Sequence, residues 1–292
     1  MAACDVHGDF VSITFPILFP GEGLISTTNT KKPRIAASSY LNSAPLIWTF
    51  QHSSQKNDIE LVEAVPARCG EMLAQGLVDV ALVPAIEYQR IPDLVVVPGV
   101  CVGSREKVRS VNLVSNLDDL KDVRRVALDE SSRTSATLVK IIFQEFLEVE
   151  PEWVSSPPDL KAMLAENDAA LIIGDPGMTF SPHDFKIFDM ASLWRRHTGH
   201  GFVFAMWMIG PTASAEARAI DFLAACREGL ARTEEIIDFY LPLLGLPREE
   251  LQRYLNENLS FVIDDELRAG LELYYQLAYK HKLIPAVKPL NF

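Results

Sequence analysis

The chain has 292 residues, 48% of them apolar and 23% charged, with a formal net charge of −12 from 27 basic and 39 acidic side chains. That composition excludes a disordered or fibrous chain. The acidic balance also argues against a nucleic-acid groove or an anionic membrane surface as the main partner, because both reward clustered Lys and Arg.

At the N-terminus the stretch Phe10 to Phe19 is apolar, but Asp5 and Asp9 precede it, no Lys or Arg occurs before Lys31, and Pro16 interrupts it. This fits a secretory signal poorly. The reading is a cytoplasmic protein whose residues 1–32 form a disordered extension running through a Gly-, Ser-, Thr- and Asn-rich stretch, Gly21 to Thr30. From Arg34 short apolar runs alternate with helical periods, which predicts a parallel sheet covered by helices. The predicted strands are Arg34–Ser38, Ile59–Val65, Val78–Val83 and Leu94–Val102. A helix begins near Pro45, and another begins at Pro66, carries Cys69, Met72 and Leu73 on one face and ends before Gly76. The nearly continuous apolar run Val78 to Val83 suits a strand buried on both faces.

A second series follows: strands at Ser110–Ser115, Arg125–Leu128 and Ala169–Ile173, and a helix from Thr134 to Leu147 whose inward stripe is Val139, Ile142, Phe143 and Phe146. Phe202–Ile209 reads as a further strand, followed by helices over Ala213–Tyr240, Pro247–Asn256 and Asp264–His281. The mixed order implies that the chain leaves one lobe near Gly103 and returns near Gly199. The expected division is therefore residues 33–104 and 203–292 in lobe 1 and residues 105–202 in lobe 2, with a hinge and a cleft between them. Open α/β sheets bind ligands at the carboxyl ends of their strands. The segments there are Ser39 to Asn42, Pro84 to Tyr88, Asp129 to Ser135 and Gly174 to Gly177.

Taken together, Tyr40-Leu41-Asn42-Ser43-Ala44-Pro45-Leu46, Gly76 to Leu82 with Glu87-Tyr88, Ser132-Arg133-Thr134-Ser135 and Thr198-Gly199 before Phe202-Val203-Phe204-Ala205 resemble the chorismate dehydratases of the futalosine route to menaquinone. The resemblance runs from about Arg34 to the C-terminus. It implies an α/β, two-lobed type II periplasmic-binding-protein-like fold with a ligand cleft between the lobes. The implied activity is a lyase reaction, removal of water from chorismate to give 3-[(1-carboxyvinyl)oxy]benzoate, with no metal and no organic cofactor. The sister 1,4-dihydroxy-6-naphthoate synthase shares the fold, but its first loop is expected to read Ser-Pro-Cys-Pro-Asn-Asp where this chain has Tyr-Leu-Asn.

Chorismate is a dianion, so local donors in the cleft must outweigh the negative charge of the whole chain. The segment Ser132, Arg133, Thr134 and Ser135, between a strand and a helix, offers hydroxyls, free N–H groups and a guanidinium able to grip a carboxylate with two hydrogen bonds. Asn42 both donates and accepts, which suits the hydroxyl or enolpyruvyl group of a substrate. Ser110 is placed to reach in from the opposite wall. Asn42 and Ser110 are the candidate catalytic residues, and Ser39, Tyr40, Gly174 and Asp175 complete the substrate-binding set. Gly174 is read as allowing close backbone approach and Asp175 as ordering a neighbouring donor. For the general base, His197 and His200 read as residues at a helix end, and Glu87 as a structural carboxylate. The substrate's own enolpyruvyl carboxylate therefore becomes the candidate base.

Cys4, Cys69, Cys101 and Cys226 lie far apart with no His at ligand spacing, which supports buried thiols and no metal site. The expected partner is a small dianion, with no nucleic acid and no membrane, in a monomer or homodimer. A non-enzymatic solute-binding protein for small anions is the competing reading from another class, since fold alone does not settle function.

Overall fold

A computed structural model describes residues 32–181 and 185–291 of the chain. The reading of residues 1–32 as an extension falls, Lys32 apart, outside the described residues, as does Cys4. Strand β1 (Arg34–Ala37) leads into helix α1 (Ala44–His52), then β2 (Glu60–Glu63), α2 (Pro66–Ala74), β3 (Val80–Pro84), a single turn α3 (Glu87–Arg90) and β4 (Val95–Ser104). The second series comprises β5 (Val111–Ser115), β6 (Arg125–Asp129), α4 (Thr134–Ile141), β7 (Glu152–Ser156), α5 (Leu160–Glu166), β8 (Ala169–Ile173), α6 (Pro176–Thr179), β9 (Lys186–Asp189) and α7 (Met190–Thr198). After β10 (Phe202–Ile209) come α8 (Ala215–Arg218), α9 (Phe222–Ala231), α10 (Thr233–Leu244), α11 (Arg248–Arg253) and α12 (Asp265–Lys280).

The strands form two five-stranded sheets, in the orders β2-β1-β3-β10-β4 and β7-β6-β8-β5-β9. Each contains a parallel trio, centred on β1 in the first sheet and on β6 in the second, extended by a strand running the opposite way: β10 against β3 and β5 against β8. β10 and β5 are also the strands that follow the two passages between sheets, after β4 and after α7. The chain is thus α/β and two-lobed, as expected, with mixed sheets where the alternation of strands and helices predicts parallel pairing. β3 is buried along its whole length, as its apolar run requires between two covered faces.

The apolar core is continuous from one sheet to the other. Phe50, Trp207 and Phe222 meet with ring centroids 4.6–6.3 Å apart beneath the first sheet. A second group of Trp194, Phe202 and Tyr274 joins β10 to α7 and α12. Helix α12 packs on β10 and on α4, so it spans the two lobes. Among the described residues no helix is long and apolar enough to cross a membrane.

Several local expectations are corrected. The predicted helix Ala213–Tyr240 is three helices: Asp221 turns its side chain back to cap Ala224 and starts α9, and Arg232, with φ −109 and ψ 24, separates α9 from α10. The helix starting at Thr134 does reach Leu147, but Ile142–Leu147 winds as a π-helix and stops at Glu148 in the left-handed region (φ 57). Strands β7 and β9, together with α5, carry no apolar alternation strong enough to be read. β7 and β9 lie at sheet edges with much of their surface in solvent, which removes the pattern that burial imposes.

Candidate active site

The carboxyl ends of β1, β3, β6 and β8 converge on a cavity of about 50 Å³ between the sheets. Its floor is apolar, made by Leu82, Val102, Val111, Ile173 and Phe204. Around that floor stand Ser38, Tyr40, Asn42 and Ser43 from the first lobe and Ser131 to Ser135 and Gly174 from the second. Arg133 is the one charged side chain in this lining, and no carboxylate is part of it, among the described residues.

The second-lobe wall is built by Asp129, at the end of β6 and almost wholly buried. One carboxylate oxygen accepts from the Ser131 N–H at 2.9 Å and the Ser131 hydroxyl at 2.6 Å, and the other accepts from the Ile173 N–H at 3.2 Å. Burial raises the pKa of this carboxyl, and the Ser131 donors oppose the rise. These bonds curl residues 130–133 into a tight turn that delivers the start of α4 to the cavity. There the Ser132 hydroxyl accepts from the Ala136 N–H, and the Thr137 N–H bonds the Arg133 carbonyl. The N–H groups of Arg133, Thr134 and Ser135 have no hydrogen-bond partner among the described residues. A helix N-terminus with unpaired N–H groups beside a guanidinium favours a carboxylate or phosphate.

The first-lobe wall is a relay of neutral groups. Ser38 and Ser43 hydroxyls lie 2.9 Å apart, and the Ser43 hydroxyl donates to the Asn42 side-chain oxygen at 3.1 Å. With that oxygen engaged, the Asn42 amide nitrogen is the group left to donate to a ligand. Ser43, not Asn42, occupies the cap position of α1. Tyr40 lies against Gly174, which adopts φ +68, and a Cβ added there would stand 2.5 Å from two ring carbons of Tyr40. Burial raises the Tyr40 phenol pKa, reinforced by the Asp129 charge.

Hydrogen bonds cross the cleft at several points. Asp175 accepts from the Leu41 N–H at 2.9 Å, Thr134 Oγ1 accepts from the Ile86 N–H at 3.2 Å, and the Ser131 carbonyl accepts from the Ala67 N–H at 3.1 Å. The Thr134 carbonyl accepts from the Tyr274 hydroxyl at 3.0 Å, which ties α12 to the first turn of α4. Arg133 Nη2 lies 3.3 Å from Glu71 of α2.

Of the residues picked from sequence, the fold brings Tyr40, Asn42, Ser132, Arg133, Thr134, Ser135 and Gly174 together on the cavity. Three are not part of its lining. Ser39 is exposed and contributes only its carbonyl, which accepts from Tyr240 at 2.7 Å, while its neighbour Ser38 faces the cavity because consecutive residues of extended chain point to opposite sides. Ser110 is fully buried with its hydroxyl accepting from Tyr254 at 2.7 Å, and Val111 takes the cavity position. Asp175 acts from behind the wall by ordering Leu41. Sequence reasoning missed Ser38, for which strand-end alternation was the available signal, and Ser43, for which the signal was the helix start beside Pro45. It also left out Ser131, although that residue stands within the hydroxyl-rich segment.

His197 is not part of this lining and stacks flat on Phe146 with centroids 4.5 Å apart; burial, then Arg196, lowers its pKa. His200 does not line the cavity either. Glu87 is buried behind the wall, 3.5 Å from Arg90, and burial raises its pKa. Among the described residues no group of three His, Cys, Asp or Glu is placed to hold a metal ion. Cys69, Cys101 and Cys226 are buried and free, with burial pushing the Cys69 thiol up to about 12 and Cys226 to about 11.

Comparison with known proteins bears on this site. A family described as menaquinone biosynthesis matches residues 33–280. The chain is 30% identical over 256 residues to chorismate dehydratase from Thermus thermophilus, covering 80% of this chain and 91% of the relative. Among solved structures, a protein from Archaeoglobus fulgidus superposes with a TM-score of 0.71 at 21% identity, over 88% of this chain and 100% of that one. The periplasmic aliphatic sulphonate binding protein of Escherichia coli superposes at 0.59 with 18% identity, over 89% of this chain and 96% of that one. These likenesses assign the fold as periplasmic-binding-protein-like.

Proposed function

Because the chain belongs to the menaquinone-biosynthesis family, we propose that it is a chorismate dehydratase, a carbon–oxygen lyase that removes water from chorismate to give 3-[(1-carboxyvinyl)oxy]benzoate. The observation that carries this reading is the set of unpartnered N–H groups at the start of α4, beside Arg133, in a cavity whose lining contains no acid among the described residues. Such a site receives a carboxylate, and the apolar floor receives a ring. An enzyme acting on a biosynthetic intermediate of this kind belongs in the cytoplasm.

The elimination removes the hydrogen from the ring carbon bearing the ether and the hydroxyl from its neighbour, and aromatisation drives it. Negative charge that develops on the ring is conjugated to the ring carboxylate. Donors set around that carboxylate by Ser132 to Ser135 therefore strengthen in the transition state. Asn42 donates from the opposite wall toward the hydroxyl or enolpyruvyl group. Neither His nor a protein carboxylate lines the cavity among the described residues, which supports the substrate's enolpyruvyl carboxylate as the base, held near the hydrogen it removes.

The test is incubation of the purified protein with chorismate, following the aromatic product by absorbance and mass. Chorismate bound but unchanged overturns the dehydratase in favour of a solute-binding role. For the base, an ester at the enolpyruvyl carboxylate is expected to abolish elimination, and elimination at the native rate would rule that carboxylate out.

A further inference from the structure

The role of Arg133 as the cavity's cation raises a question of geometry. Its side chain is more than a third exposed, and a long, rotamer-rich arginine left to itself spends much of its time in solvent. It is instead held from two directions: Nη1 donates to the Glu130 carbonyl of its own loop and Nη2 to Glu71 Oε1 of α2 across the cleft, both at 3.3 Å. Glu71 is itself fixed by Arg68, one turn back on α2, at 3.1 Å. Just behind this pair, Gly70 presses against the buried Glu87 side chain, which is paired with Arg90, and Arg90 in turn donates to Thr137 of α4 at 3.1 Å. Charges of alternating sign thus run from Arg68 through Glu71 to Arg133, with the Glu87–Arg90 pair packed behind α2, and Glu71 is the member that touches Arg133.

We propose that Glu71 is a positioning residue: from the first lobe it holds the Arg133 guanidinium of the second lobe in the orientation that meets a carboxylate of the bound dianion. Glu71 does not line the cavity. Its contribution is pre-organisation, since a guanidinium already fixed by one carboxylate loses less freedom when it binds another. An opposite effect is built into the same residue, because its negative charge stands near an anion site and repels the ligand. The proposal is that orientation outweighs repulsion.

The inference rests on the dehydratase reading for its substrate, and the experiment separates the two. The KM and kcat for chorismate, together with its dissociation constant by calorimetry, are measured for the native protein and for Glu71→Ala, Glu71→Gln and Arg133→Ala. Glu71→Ala is expected to raise KM and Kd by about three- to tenfold and to lower kcat by a smaller factor, because Arg133 stays in place and only its orientation loosens. Glu71→Gln keeps an acceptor oxygen for Nη2 without the charge and is expected to recover most of that loss. In the Arg133→Ala background, Glu71→Ala is expected to add nothing further. Values for Glu71→Ala equal to or better than native overturn the proposal, as does a full additional loss in the Arg133→Ala background. A native protein that binds chorismate without converting it overturns the dehydratase reading while Kd still tests Glu71; one that neither binds nor converts it overturns both.

Discussion

Two residues at the end of β8 illustrate how single side chains shape this site. Gly174 lacks a Cβ where Tyr40 needs room, and its φ of +68 lies in the region that L side chains rarely adopt. Gly174→Ala therefore carries both backbone strain and a collision with the Tyr40 ring. The expected result is a loss of about 1–3 kcal/mol in stability, read by denaturant titration, together with a raised KM as Tyr40 is displaced. Its neighbour Asp175 is pushed up to about 6 by burial, with the Leu41 N–H as the opposing influence. A carboxyl whose folded pKa lies above its unfolded one binds protons more readily in the native state. Its favourable contribution is then complete below about pH 4 and is lost as pH rises through about 6. Asp175→Asn keeps an acceptor for Leu41 and removes the buried charge. Relative to native, the variant is expected to gain about 1–2 kcal/mol at pH 7, discounted for partial exposure, and to show no gain near pH 4. Parallel melts across that range check it, and an unchanged difference between the two pH values refutes the assignment.

At the level of elements, the site depends on where helices begin. α4 is aimed at the cavity by the Asp129 turn and held there by Ile86 and Tyr274, one from each side of Thr134. α1 is held by packing. Gly229 of α9 crosses its first turn so closely that an added Cβ would lie 2.0 Å from the Pro45 carbonyl oxygen, 2.7 Å from its carbon and 3.0 Å from its Cα. All three are backbone atoms, which no rotamer change can move. Gly229→Ala must separate α9 from α1 and is expected to cost at least about 3 kcal/mol, seen as a lowered denaturation midpoint. Because α1 carries the Asn42–Ser43 loop at its start, KM is expected to rise in the same variant.

Across the whole molecule, the C-terminal helix acts as a tie between lobes. Tyr274 reaches Thr134 from its middle, and at its end Lys280 and His281 meet Glu145 at 2.7 and 2.6 Å. Lys280, ahead of His281, holds the Glu145 carboxyl below the usual carboxylate range. A carboxyl lowered in this way contributes stability above its unfolded pKa, near 4.3, and loses it as pH falls further. Glu145→Ala is expected to lower Tm by about 2–4 °C at pH 7, a modest effect because the pair is open to solvent, and to have less effect near pH 3. Equal effects at both pH values would show that packing, not charge, makes the tie.

The strand ends that meet at the cavity, the hydroxyl-rich segment from Ser132 to Ser135, the buried thiols and the helix starting at Thr134 were legible in the amino-acid sequence. Apolar periodicity, turn residues and helix-start chemistry act between near neighbours, so local text is enough to reveal them. The mixed direction of both sheets was not legible, nor was the choice of Ser38 over Ser39 and Val111 over Ser110 at the cavity wall. Neither were the partners Glu71, Ile86, Leu41 and Tyr274, which pair with residues 62, 48, 134 and 140 positions away. By itself the sequence determined which chemical groups stand at the ends of strands. Only the tertiary structure decided which of them face one another, because that depends on how two separately wound sheets pack across a cleft, and no local pattern carries the register between them.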